Sequence, residues 1–220
     1  MNEINAKLSG IKFKSIEQAV EHSIPVVSSQ SGKIVAYLLP VGEWVLSQTA
    51  LLMSIAKWRK KFMRFYLTQS ETDLKSTTEY IQSKIHHDSS AIFFMIADEQ
   101  NEIIGHIGFS NITAVSAELD NILLGEYTAI KDLMKDVELQ SIDWIRNFLN
   151  IERIFLRVLS YNFLAINLHQ ECGFSLEQLV PIKRMQYSSK FIYEPCKQDE
   201  TDLEFHLLVM SKNLKDVPIV

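Results

Sequence analysis

The chain has 220 residues, 47% of them hydrophobic and 22% charged, a composition far from the apolar-poor, charge-rich corner where chains stay disordered. Its 22 basic and 27 acidic residues leave a net charge of -5, which argues against a broad surface for a nucleic-acid backbone. Cys172 and Cys196, the two cysteines, form no pattern with metal-ligand spacing, and no segment reaches the ~18 uncharged apolar residues of a membrane span. With no apolar secretory run behind the first residues, the expectation is a cytoplasmic protein without metal, membrane or nucleic-acid partner.

Along the chain, a short helix is predicted from Ile16 to His22, then a polar turn and a strand, KIVAYLLPV, over 33–41. From Glu43 to about Phe65, Trp44, Leu51, Leu52, Ile55, Trp58 and Phe62 recur at helical spacing, and a second helix follows over Thr72–Ile85 with Ser70 or Thr72 as its N-cap. The apolar runs 91–97 and 103–112 flank a turn and read as a hairpin with both faces covered, whereas strand 117–124 alternates partly polar with apolar residues. Segment 130–148 carries Ile130, Leu133, Met134, Val137, Trp144, Ile145 and Phe148 on one helical face. A buried strand over 153–159, a helix over 162–172 closed by Gly173, a strand to Pro181, a polar stretch over 183–202 and a last strand over 203–210 complete the order. Early hairpins followed by βα units favour a mixed α/β sheet flanked by helices over a doubly wound nucleotide fold.

Strand 117–124 leads through GEYTAIKD into the long helix, an arrangement that aims free main-chain N–H groups at one point suited to a pyrophosphate. Thr128 and Lys131 add a hydroxyl and a charge there. Glu118 and Asp120, two apart on one strand, share a face, either a solvated strand face or one that supplies a general base. His106 on the neighbouring strand either joins that site or is a satisfied interior histidine.

The segment 156–174, LRVLSYNFLAINLHQECGF, resembles the second half of the GCN5-related N-acetyltransferase (GNAT) domain. Upstream, WRKKFMRFYLTQ over 58–69 is similar to the first helix of the RimJ/RimL-like branch, and IIGHIGFSNI and AELDN to its two central strands. The resemblance implies an α+β fold with a mostly antiparallel sheet of about seven strands, splayed between the fourth and fifth. It divides the chain into an extension over 1–33, the domain over 34–214 with a polar insertion or hairpin about 183–202, and a tail over 215–220.

Carried over, acetyl-coenzyme A lies between strands 117–124 and 153–159, against Ile122, Leu123, Leu124, Tyr127, Thr128, Ala129, Ile130, Lys131 and Asn162. The first two helices cover the acceptor end, so Arg59, Thr68, Gln69, His106 and Asn121 are expected to touch the acceptor. His169 stands where the family commonly has the tyrosine that protonates the departing thiolate, and is read either as that acid or as a packed helix residue. The sequence departs from the family in its phosphate loop, which has no glycine between Gly125 and Gly173 and carries Glu126. The implied activity is acetyl transfer from acetyl-coenzyme A to a small-molecule amine, with an amino sugar, free or nucleotide-linked, as the acceptor and a homodimer as an open option. The alternatives are a protein N-terminal acetyltransferase and a non-catalytic module of the same fold with a degenerate coenzyme loop.

Overall fold

Residues 3–33 lead into the sheet. In the computed structural model, which describes residues 3–188 and 190–215, α1 (Glu3–Gly10) and α2 (Ile16–Glu21) precede β1 (Ile24–Val27) and β2 (Ile34–Pro40). Strand β1, through Ile24 and Val26, and the fully buried Leu8 belong to the main core. Lys12 binds this segment to the rest: its Nζ donates to the carbonyls of Lys84, Ile85 and Asp88 at 2.9 to 3.2 Å, meeting acceptors that a helix end leaves open.

The stripe predicted from Glu43 breaks at Gln48 into a 3-10 turn (Glu43–Ser47), α3 (Thr49–Phe62) and a second turn (Met63–Phe65), followed by β3 (Thr68–Ser70). Helix α4 (Leu74–His86) starts at neither Ser70, which lies in β3, nor Thr72. Asp73 caps it, accepting from the Ser76 N–H at 2.7 Å while Ser76 Oγ accepts from the Asp73 N–H at 3.0 Å, a reciprocal box that meets two orphan groups at once. The hairpin β4 (Ile92–Asp98) and β5 (Ile103–Ser110) is buried on both faces, as its continuous apolar runs predict. After β6 (Ser116–Leu124) come α5 (Leu133–Leu149), β7 (Arg153–Leu159) and α6 (Phe163–Glu171). Gly173, at φ +88°, takes the left-handed turn that ends α6.

The polar stretch 183–202 is structured. After β8 (Ser175–Val180), β9 (Ile182–Tyr187) and β10 (Lys190–Pro195) form a hairpin that adds β3 as a third strand, and β11 (Leu207–Asn213) returns to the main sheet. That sheet has eight strands, one more than expected, in the order β1-β2-β4-β5-β6-β7-β11-β8. All neighbours are antiparallel except β6 and β7. One face packs on α5, through Leu133, Val137, Ile142 and Ile145; the other packs on α3 and α4, through Leu52, Ile55, Trp58 and Ile81. No helix among the described residues is long and apolar enough to cross a membrane.

Candidate active site

The parallel pair β6–β7 opens almost at once. Only Ser116, Ala117 and Glu118 pair, with Arg153, Ile154 and Phe155. Beyond them the β6 edge facing β7 has no strand partner. On its other edge β6 carries one extra residue against β5: Asp120 opposes Gly108 and Leu123 opposes His106, so two steps on β5 meet three on β6. Such a bulge bends a strand, and Asn121, at φ +53°, sits in it. Three side chains hold it. His106 Nδ1 donates to the Asn121 carbonyl at 2.7 Å, Asp120 Oδ1 accepts from the Asn121 N–H at 2.7 Å, and the Tyr80 hydroxyl donates to Asn121 Oδ1 at 2.7 Å.

The divergence leaves a cleft of about 620 Å³ between β6, β7, α6 and the α3–β3–α4 cover. Glu118, Asp120 and His169 all line it, as do Ile122, Leu123, Leu124 and Asn162 on the coenzyme side and Arg59, Thr68 and Asn121 on the acceptor side. Gln69 and His106 do not. Gln69 turns its amide to the carbonyls of Arg64 and Tyr66. His106 is buried behind the bulge, and burial pushes its pKa down to about 4, so it is the neutral interior histidine of the two readings. Asn162 also caps α6, accepting from the Ala165 N–H at 3.4 Å.

Glu118 and Asp120 are unlike. The Glu118 carboxylate accepts from Arg157 Nε at 2.6 Å, Arg157 Nη2 at 3.2 Å and Asn111 Nδ2 at 2.6 Å, and its side chain is 5% exposed. It is a saturated anion that clamps β6 to β7 at the last paired residue. Asp120, two residues further into the opening, takes only the Asn121 N–H and the Ser110 hydroxyl, at 3.2 Å. Burial, and secondly the Glu118 charge, raise its pKa above the ordinary carboxylate range. The structure therefore separates two residues that strand periodicity treats alike.

His169 does not merely pack. Its Nδ1 lies 3.0 and 3.1 Å from the two carboxylate oxygens of Glu138, a fully buried residue of α5. With Nδ1 engaged, Nε2 is the ring nitrogen left for the cleft. Glu138 was missed in the sequence, although the signal is there: it lies four residues from both Met134 and Ile142, a carboxylate inside an apolar stripe. Tyr66, Tyr80 and Arg157 were missed because nothing local distinguishes a cleft residue from a surface one.

Residues Tyr127, Thr128, Ala129, Ile130 and Lys131 are not among those lining the cleft, and Tyr127 is 92% exposed. Gly125 serves packing: a Cβ there would sit 2.1 Å from the Trp58 ring. Glu126 Oε1 accepts from Trp58 Nε1 at 2.8 Å, which holds this anion against α3. Helix α5 starts at Leu133, because Asp132 at φ +57° turns the chain out of helical geometry; the helix tip therefore lies three residues later than the apolar stripe predicts.

A splayed parallel pair frames the cleft, and comparison with known proteins identifies the class as acetyltransferase. The Acetyltransferase (GNAT) domain family matches residues 47–175. The chain belongs to this family. A spermidine N(1)-acetyltransferase from Vibrio cholerae is 30% identical over 98 residues, 44% of this chain; the match spans 56%, about half, of that relative. Among solved structures, spermidine N-acetyltransferase from Vibrio cholerae in complex with CoA and spermine superposes with a TM-score of 0.60 at 18% identity, covering 81% of this chain and 95% of that one. An acetyltransferase from Salmonella typhimurium that modifies the N-terminal serine of a 50S ribosomal subunit protein superposes with a TM-score of 0.64 at 17% identity, covering 88% and 99%. At these identities the superpositions establish the shared fold.

Proposed function

We propose that this chain transfers an acetyl group from acetyl-coenzyme A to a primary amine held in the cleft. The observation that carries the reading is the divergence of β6 from β7 after three paired residues, which frees a main-chain edge at Ile122, Leu123 and Leu124 beside Asn162. A narrow slot edged by unpaired strand groups fits the amide-bearing arm of a coenzyme, and the named solved relatives include one in complex with CoA. When bound, acetyl-coenzyme A supplies a thioester whose C–S bond breaks as the new C–N bond forms.

The chain's own residues do the rest. Asp120 takes the proton that the attacking amine must lose, because it is the cleft carboxylate with spare acceptor capacity and a raised pKa. Main-chain N–H groups of the bulged edge orient and polarise the carbonyl. His169 holds a proton at Nε2 for the departing sulfur, and Glu138 fixes the ring by accepting from Nδ1. Glu118 supports the opening through Arg157. The acceptor is assigned as a primary amine; the amino-sugar expectation rests on sequence resemblance, whereas the relatives found are named for spermidine and for an N-terminal serine.

One observation favours a second reading, a non-catalytic module. Gly125 is spent on Trp58 and residues 127–131 stand outside the cleft, so the phosphate end of the coenzyme has few visible partners. A thermal-shift titration with acetyl-coenzyme A separates the two, since ligand at 100 times its dissociation constant adds about 2.7 kcal/mol to stability. We expect a clear rise in the unfolding midpoint; none at millimolar ligand would leave the module reading. The acid has its own test. His169→Gln, whose amide can still donate to Glu138, is expected to slow thiol release at neutral pH by roughly 10²-fold, and an unchanged rate would make His169 a packing residue.

A further inference from the structure

At the acceptor end of the cleft a guanidinium has no anion. The Arg59 Cζ lies 4.1 Å from the Tyr80 ring centroid and 5.9 Å from that of Tyr66, cation–π distances that hold the group against aromatic rings. Among the described residues no carboxylate stands within ion-pair distance of Arg59, and its Nε is buried without an acceptor. The Tyr66 hydroxyl, on the same cleft wall, is also buried without a partner. Burial raises the Tyr66 pKa to about 12, partly offset by the Arg59 charge, so its oxygen keeps its proton and is a donor. Two orphaned donors of one cleft are costly to leave dry and are met together by an anionic oxygen from a ligand.

The other cations of the cleft lining are spoken for. Lys84 is paired with Asp88 at 2.8 Å and Arg157 with Glu118 at 2.6 Å. Asp120, the other carboxylate of the lining, accepts from the Asn121 N–H and the Ser110 hydroxyl and has no cation partner. A chain of ammonium groups entering this space would find three cations, Arg59, Lys84 and Arg157, against one carboxylate without a cation partner, Asp120, which can face a single amine but not a series of them. The Arg59–Tyr80 stack is tied to the bulge through the bond from Tyr80 to Asn121, and Arg59 and Asp120 line the same cleft.

We propose that the acceptor is an amine that also carries an acidic group, carboxylate or phosphate, and that Arg59 and Tyr66 bind this group while Asp120 faces the amine. This deepens the acetyl-transfer reading and rests on it for the role of the amine. It distinguishes the chain from a polyamine enzyme.

The test is calorimetric binding to the full chain, with and without coenzyme A, of two matched pairs and one polycation: an amino-sugar phosphate against its parent amino sugar, a dipeptide against its C-terminal amide, and spermidine. At least one acidic member is expected to bind 30-fold or more tighter than its neutral partner, and the pair that shows it tells phosphate from carboxylate. Arg59→Met should cut that ratio below about threefold, and Tyr66→Phe, which keeps the ring, should lower it by a smaller factor. Equal binding within both pairs, spermidine binding tightest, or a ratio that survives Arg59→Met would overturn the proposal. Each comparison is made within one variant, so a general loss of stability cancels. A failure of the acetyl-transfer reading shows separately, as absence of any coenzyme A effect while the preference for the acidic amine persists.

Discussion

Asp120→Asn is expected to lower turnover by about 10² to 10⁴-fold, the range for a positioned general base, while acetyl-coenzyme A still raises the unfolding midpoint. The pH dependence carries the sign. Because burial raises the Asp120 pKa, the basic form appears only above the ordinary carboxylate value of ~3.9. The acid limb of kcat/KM therefore lies at higher pH than for an exposed aspartate, and it disappears in the asparagine variant. Stability moves the opposite way. Between the unfolded and the raised folded pKa the native state binds more protons, so stability falls as pH rises through that window and the penalty persists above it. Asparagine escapes the penalty and can still accept from the Asn121 N–H. Asp120→Asn should thus be at least as heat-resistant as the wild type at neutral pH. Wild-type turnover in this variant would remove Asp120 as the base, and a variant less stable than wild type would argue that the carboxylate is held ionised.

Arg157→Met is expected to give the largest loss of stability, roughly 2–3 kcal/mol in urea unfolding. Breaking a buried pair typically costs ~3–5 kcal/mol because one charge is left uncompensated. Here Glu118 is 5% exposed but Arg157 is 42% exposed, so solvent screening already weakens the pair and sets the lower figure. The cost falls on Glu118, which keeps only Asn111. Adding Glu118→Gln should then restore part of the loss, a non-additivity that a double-mutant cycle reads directly. Additive effects would mean that the pair contributes nothing to holding β6 against β7. Since this clamp sits at the last paired residue before the opening, the single variant should also weaken coenzyme binding.

How far the site could be read from the sequence differs by element. Strand β7 and helix α6 fall within a residue of their expected bounds, since an unbroken apolar run and an Asn162-to-Gly173 bracket are local signals. The face shared by Glu118 and Asp120 followed from strand periodicity, and their unequal roles did not: Asn111 and Arg157, which saturate Glu118, come from a turn and from another strand. Alternation left two readings of His106 open, because burial behind a bulge is invisible to it. The expected coenzyme contacts at 127–131 lie off the cleft because Trp58, 67 residues before Gly125 in the chain, fixes where that loop runs.

The sequence by itself determined the order of elements, the family resemblance and the set of chemical groups available, because hydrophobic period, caps and motif spacing act over one or two turns of chain. Tertiary structure decided which of those groups meet. It opened β6 from β7 and bulged β6 at Asn121, gave Glu118 an arginine and His169 a carboxylate, and left Arg59 near two tyrosines without an anion. These are outcomes of desolvation and charge pairing between distant segments, which no local pattern encodes.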